Sequence, residues 1–258
     1  VPFETPGAVE RSERLAAVAA MVYLVFNEGY TTNVAEHGAK APLCEEAIRL
    51  SRLLLRLFPA EPEVMALLAL LLLQHSRAAA RYDGDGAVVL LEHQDRCCWD
   101  RRLIAEGLVL IEKAIRHRRP GPYQVQAAIA TLHARAATFA DTDWREIELL
   151  YGTLERMEPS PVVTLNRAVA VSKARGAADA LAMIEPLADK LGRYFYFHGA
   201  RGAFLKELGC AAEVRIAFDR AIALANTPAE AAHIRAEIES LAGQGNSGMR
   251  RADERGGL

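Results

Sequence analysis

Residues 160–176, SPVVTLNRAVAVSKARG, and residues 193–209, RYFYFHGARGAFLKELG, decide the fold. Each stretch closes on a glycine, and Gly176 and Gly209 stand 33 residues apart. Ala168 and Arg201 share that offset, as do Val171 and Phe204. Ser160-Pro161 has the form of an N-cap followed by proline at the first helical position. The pattern predicts a helix ending near Gly176 and a second to about Lys190. It then predicts a helix ending at Gly209 and another to about Ala225. Ala217, Ala221 and Leu224 supply the small and large packing positions of that last helix. Thr227-Pro228-Ala229-Glu230 has the pattern of a capping box that opens a final helix.

Two helices per 33 or 34 residues is the period of tetratricopeptide-like arrays, in which each pair completes its core against the next. Residues 122–157 read as a degenerate earlier pair. The expected fold class is all-α: a right-handed helical array, with an irregular N-terminal helical half followed by tetratricopeptide-like helix pairs. Three segments are expected. Residues 1–157 form the N-terminal half, with an inserted loop at 82–96. Residues 158–242 form the repeats and their capping helix. Residues 243–258, rich in Gly, Ser and Arg, form a flexible tail.

The N-terminal half also follows a helical period. Leu15, Val18, Val22 and Val25 predict a helix over about 9–27, with Gly29 as its C-cap. Pro42 is expected to open a second helix, with Leu43, Ala47, Leu50, Leu54 and Leu57 on one face and Pro59 as its stop. A third runs from Glu61-Pro62 to about Arg81. Its middle, Val64 to Leu73, is apolar all round, the pattern of a central buried helix. Asp83-Gly84-Asp85-Gly86 is turn chemistry. Further helices are expected over about 97–117, over about 122–138, and from Asp141-Thr142-Asp143 to near Met157.

With 51% hydrophobic and 25% charged residues, the composition is that of a globular protein. A net charge of −2 argues against autonomous nucleic-acid binding, which needs a basic face. Cys44, Cys97, Cys98 and Cys210 include no Cys-x-x-Cys, which points to reduced thiols in a cytoplasmic compartment. The apolar run of ten residues, Val64 to Leu73, falls short of the roughly 20 a membrane span needs. The chain has no initiator Met and no signal-peptide pattern, so a fragment of a longer protein is expected.

Polar residues on or beside apolar helical faces form the candidate site. They are Glu28, Glu45, Glu46, Arg49, Arg77, Arg81, Gln94, Asp95, Arg96, Trp99, Tyr123, Gln124, Gln126, Asn166 and Arg167. Charges held that close to a core need partners. They make either a structural ion-pair network or a polar groove that grips a peptide, a partner domain or a small ligand. Glu45 and Arg49 have the i,i+4 spacing of a helical ion pair. Arg77, Arg81 and Arg96 supply positive charge, Asp95 is expected to orient one of them, and Trp99 and Tyr123 to pack the wall. No His or Cys set has metal-ligand spacing, and Asp83 to Gly86 lacks the later ligands of a calcium loop. Neither a glycine-rich phosphate loop nor Gly-x-Ser-x-Gly occurs. No catalytic residue, metal or cofactor is therefore expected. Tyr194-Phe195-Tyr196-Phe197-His198 reads as inter-helix packing, with a peptide-binding face as the lesser reading.

Many of these residues fall in stretches that together resemble one family. The stretches are Tyr23 to Tyr30, Leu43 to Leu50, Pro62 to Leu73 with Arg77 and Arg81, Gln94-Asp95-Arg96 with Trp99-Asp100, and Gly121 to Ile129. Thr142-Asp143-Trp144, Leu149-Leu150-Tyr151 and Pro161 to Ala170 follow. Over residues 15 to about 241 the chain resembles the C-terminal, tetratricopeptide-like extension of a group of bacterial extracytoplasmic-function RNA polymerase sigma factors. It departs from them at Cys97-Cys98, where small polar residues are usual, and at His93, where an acid is expected. The resemblance implies a regulatory, protein-interaction module that modulates transcription initiation in cis or through a partner. It implies sigma regions 2 and 4 before Val1, absent from this chain. The partners it implies are those sigma regions, core RNA polymerase through the full-length protein, and a small protein of an Asp-Gly-Pro-Phe type. It implies neither direct DNA binding nor a membrane, and it assigns no catalytic residue. A free-standing tetratricopeptide scaffold and a small-molecule sensor with a polar groove are the alternatives.

Overall fold

A computed structural model describes residues 7–30, 34–84 and 86–253. The fold is all-α: among the described residues there is no strand beyond an isolated bridge. The chain forms two compact units, residues 1–82 with 89–143 and residues 83–88 with 144–258. The helix Trp144–Met157, expected with the N-terminal half, packs on the helix Pro161–Arg175 and so belongs with the repeats.

The first unit is built from α1 (Ala8–Tyr30), α2 (Val34–Leu57), α3 (Pro62–His75), α4 (Arg101–Arg116) and α5 (Pro122–Arg135). Every residue from Val64 to Leu73 is buried, and the other four helices pack on α3 or on its neighbours. Pro62–Ala80 is apolar enough for a membrane span by length and composition, yet 67% of that window is buried. These side chains are the core of the unit.

Expectation and structure differ at the helix ends. Gly29 lies inside α1 rather than at its cap. A Cβ there would come 2.9 Å from Leu43 Cβ and 3.0 Å from Cys44 N, so the missing side chain is what lets α1 and α2 touch. Pro42 lies within α2, eight residues after its start. A proline removes one helical hydrogen bond and kinks the chain without forbidding a helix on both sides. The chain leaves α3 after His75, where Ser76 Oγ donates back to the Leu73 carbonyl at 2.7 Å. α4 starts at Arg101 because Asp100 caps it, accepting from Arg102 N at 2.8 Å and Leu103 N at 3.1 Å.

The second unit holds α6 (Trp144–Met157), α7 (Pro161–Arg175), α8 (Ala177–Ile184), α9 (Ala188–Leu191), α10 (Phe195–Glu207), α11 (Ala211–Leu224) and α12 (Pro228–Asp253). The 33-residue offset has a backbone basis. Gly176 has φ +109° and Gly209 has φ +75°, conformations that glycine adopts freely. Each joins the first helix of a pair to the second. The helix expected to reach Lys190 is interrupted by a 3-10 turn, Glu185–Leu187, that carries Pro186. Phe195 and Phe197 are buried, while Tyr196 turns outward and donates to Glu230 at 3.0 Å. Thr227 Oγ1 accepts from Glu230 N at 3.1 Å, and the Glu230 carboxylate reaches back to Asn226 N at 2.9 Å. From Gly243 the chain continues α12 to Asp253, and residues 254–258 of the expected tail lie outside the described residues. The capping box nucleates this helix and no proline follows to stop it.

Gly202 of α10 marks the tightest contact in this unit. A Cβ there would come 2.3 Å from Phe218 Cε1, and Phe218 is only 2% exposed. Gly202→Ala is expected to destabilise the protein by about 2–3 kcal/mol through overpacking. Adding Phe218→Leu should recover part of that loss. Thermal midpoints of the three proteins check this, and an unchanged midpoint for Gly202→Ala would contradict the packing.

Candidate functional site

The site assembles around Tyr30, the last residue of α1. Arg77 Nη2 donates to Tyr30 Oη and to Gln74 Oε1, both at 2.6 Å. Arg81 donates to the Tyr30 carbonyl, and its guanidinium carbon stands 3.6 Å from the Tyr30 ring centroid. That carbonyl is one of the last in α1 and has no helical N–H partner, so Arg81 satisfies it. On the far side of Arg77 lies Trp99. The Arg77 and Arg96 guanidinium carbons are 5.8 Å and 4.7 Å from its ring centroid. Arg96 is buried and donates to the carbonyls of His133 and Ala136, the latter at 2.8 Å. These carbonyls belong to the last turn and cap of α5. The order is therefore Arg81, Tyr30, Arg77, Trp99, Arg96. The two outer arginines cap helix C-termini, where partial negative charge resides.

Among the described residues none of these three guanidiniums forms an ion pair with a carboxylate. Their field is felt nearby. Burial, then Arg77 and Arg96, push the His133 imidazole down to a pKa of about 4. Burial and then Arg77 also lower the pKa of Arg96, with Asp141 opposing them and Arg101 adding to them. Trp99 is 3% exposed, and among the described residues its Nε1 has no acceptor.

Asp95 does not touch an arginine. Its carboxylate caps the 3-10 turn Arg96–Cys98, accepting from Cys97 N at 2.8 Å and from Cys98 Sγ at 3.7 Å. The Cys97 bonds hold its pKa below the ordinary aspartate value. It acts locally, fixing the turn from which Arg96 and Trp99 project. Gln94 Nε2 ties the same segment to the Val89 carbonyl at 3.0 Å.

Tyr123 and Gln124 form a second node. The Glu63 carboxylate accepts from Tyr123 N at 2.9 Å, Gln124 N at 3.2 Å and Gln124 Nε2 at 3.0 Å. A glutamate of α3 thus caps the N-terminus of α5. Tyr23 meets the Tyr123 ring edge-on at 5.7 Å and donates to Gln126 Oε1 at 3.2 Å. Glu28 and Glu45 are exposed. Arg49 pairs with Glu46, not Glu45, through two bonds of 2.7 Å, because the i,i+3 partner offers both carboxylate oxygens to the guanidinium fork. In the second unit Arg167 pairs with Glu155 at 2.8 Å, while Asn166 is exposed. The Thr164 hydroxyl bonds the same carboxylate, and it and Arg167 lower the Glu155 pKa.

The expected single constellation is therefore divided into the arginine row with its Asp95 turn, the Glu63 node, the Arg49–Glu46 pair and the Arg167–Glu155 pair. Tyr30, Gln74, His133 and Glu63 are partners that sequence reading missed. Glu63 had one signal, because Gly121 lies opposite it. A Cβ at Gly121 would come 2.3 Å from Glu63 Cδ, so the capping carboxylate requires glycine there.

Residues 14–115 match a family described as a family of unknown function, DUF6596. This match holds the whole arginine row but not His133. The chain is also 67% identical over 244 residues to "Uncharacterized protein R00370" of Rhizobium meliloti (strain 1021). That similarity covers 95% of this chain and 58% of the relative, so the chain spans little more than half of the relative's length. No solved structure matches.

Proposed function

We propose that this chain is the regulatory, protein-interaction extension of a bacterial extracytoplasmic-function sigma factor, modulating transcription initiation in cis or through a partner in the cytoplasm. One observation carries the reading: the stretches behind the resemblance are each other's partners in the first unit. Tyr30 bonds Arg77 and Arg81, Arg77 and Arg96 flank Trp99, Glu63 holds Gln124, and Tyr23 holds Gln126. These motifs of the first unit thus pair with one another rather than lying scattered. The relative extends well beyond the matched portion, which leaves room for sigma regions in the same polypeptide. Those regions, and core RNA polymerase through them, are the proposed partners, with a small Asp-Gly-Pro-Phe-type protein as a further one. The chain itself performs no catalysis and contacts no DNA.

Asp95→Ala in the full-length gene product tests the reading. Asp95 is an exposed turn cap, so its loss should lower the thermal midpoint only slightly. Transcription from the cognate promoter should change by roughly fivefold or more, the scale of a typical coupling between sites. If transcription follows only the fraction of folded protein, the turn is structural and the proposal loses its support.

A further inference from the structure

Arg81, Arg77 and Arg96 bring three positive charges to one edge of the first unit; among the described residues none has a carboxylate oxygen within 4.0 Å, and Asp141 acts on Arg96 from farther away. The C-termini of α1 and α5 offset roughly half an elementary charge each. Asp141 also acts on Arg96, so about one and a half positive charges remain on Arg77 and Arg81, by the same reckoning. Burial is the largest cause of the lowered His133 pKa, and the Arg77 and Arg96 charges add to it.

Donors are also left over. Among the described residues Arg77 donates only through Nη2 and Arg81 only through Nη1. Both side chains are half-buried rather than sealed, and both are held in place through Tyr30. Guanidinium forks match the oxygens of phosphoryl groups in bidentate fashion. A phosphate monoester carries about −1.5 to −2 charge near neutral pH, which matches the residual charge. A monocarboxylate would leave about a third of it unneutralised.

We infer that the first unit binds a phosphoryl dianion, free or as a small monoester, between Arg77 and Arg81 beside Tyr30, with Arg96 adding charge across the Trp99 ring. The site needs no part of the second unit and stands independently of the transcriptional reading. A ligand there would tie the end of α1 to the turn that follows α3.

Thermal shift of the chain at constant ionic strength, with inorganic phosphate, glycerol phosphate or chloride, tests the inference. Either phosphoryl compound should raise the midpoint saturably, by about 5 °C or more at a hundredfold excess over Kd. Chloride should not. A tighter response to glycerol phosphate assigns a monoester as the ligand, and an equal or weaker one assigns free phosphate. The Arg77→Gln/Arg81→Gln double variant should lose at least about tenfold in apparent affinity, the scale of a charge-assisted contact. No shift in the wild-type protein, or an equal shift in the double variant, overturns the inference. If the double variant does not fold, the His133 Cε1 proton of the wild-type protein is followed by NMR instead. Phosphate beside Arg77 should raise the His133 pKa, and a ring indifferent to phosphate overturns the inference as well.

Discussion

Between pH 6.5 and about 4 the protein is expected to lose about 3 kcal/mol of stability through one side chain, His133. Its imidazole titrates near 6.5 when unfolded and near 4 when folded, because burial and the Arg77 and Arg96 charges oppose a proton there. As pH falls, the unfolded chain therefore takes up the proton first. Stability is at its plateau above the unfolded value, falls through the window, and below about pH 4 loses nothing more on this account. Glu155, whose pKa is lowered chiefly by the Thr164 hydrogen bond, acts in a lower window, beneath its ordinary value of 4.5. The upper window thus reads His133. Urea unfolding at several pH values, followed through Trp99 with Trp144 replaced by Phe, measures it. His133→Gln should flatten the slope. A wild-type protein with no slope, or a variant with the same slope, would show that His133 is not held neutral.

Arg96→Met is expected to cost about 3–5 kcal/mol, as breaking a buried charged contact does. It leaves the carbonyls of His133 and Ala136 without their donor and takes the cation from Trp99. Arg96→Lys should fall between the two, since an ammonium cannot span both carbonyls as a planar fork does. The substitution also removes one cause of the His133 depression, so the pH window of the first prediction should narrow in Arg96→Met. Denaturation midpoints at pH 7 and pH 5 test both points together. A variant as stable as the wild-type protein would mean that Arg96 is not the cap of α5.

Residues whose role is local were the most legible. Gly176 and Gly209 could be read because a left-handed backbone position needs glycine, and their spacing gave the helix pairs. Ser160 and Thr227 could be read as caps because their partners lie two and three residues away. Asp95 was also local, yet its polar neighbourhood suggested an arginine partner. The cap to Cys97 explains the aspartate without one. Helix ends were harder. Gly29 looks like a stop signal until Leu43 and Cys44 are brought against it, and Pro42 looks like a start until flanking turns hold it inside α2. The arginine row was half visible. Arg77, Arg81, Arg96 and Trp99 stand out as polar or aromatic groups beside an apolar helix. Apart from Gln74, their hydrogen-bond partners lie 37 to 51 residues away, from Arg96 to His133 and from Arg81 to Tyr30, and composition carries no information about such pairs.

The proposed role in transcription is tested most directly by promoter-specific initiation in vitro, with core RNA polymerase and the full-length gene product, with and without the residues of this chain. A regulatory extension predicts that its removal changes the initiation rate by roughly tenfold, a free-energy difference of about 1.4 kcal/mol, while the affinity for core polymerase stays within experimental error. Equal rates with and without it, or a full-length product that never initiates, would contradict that role.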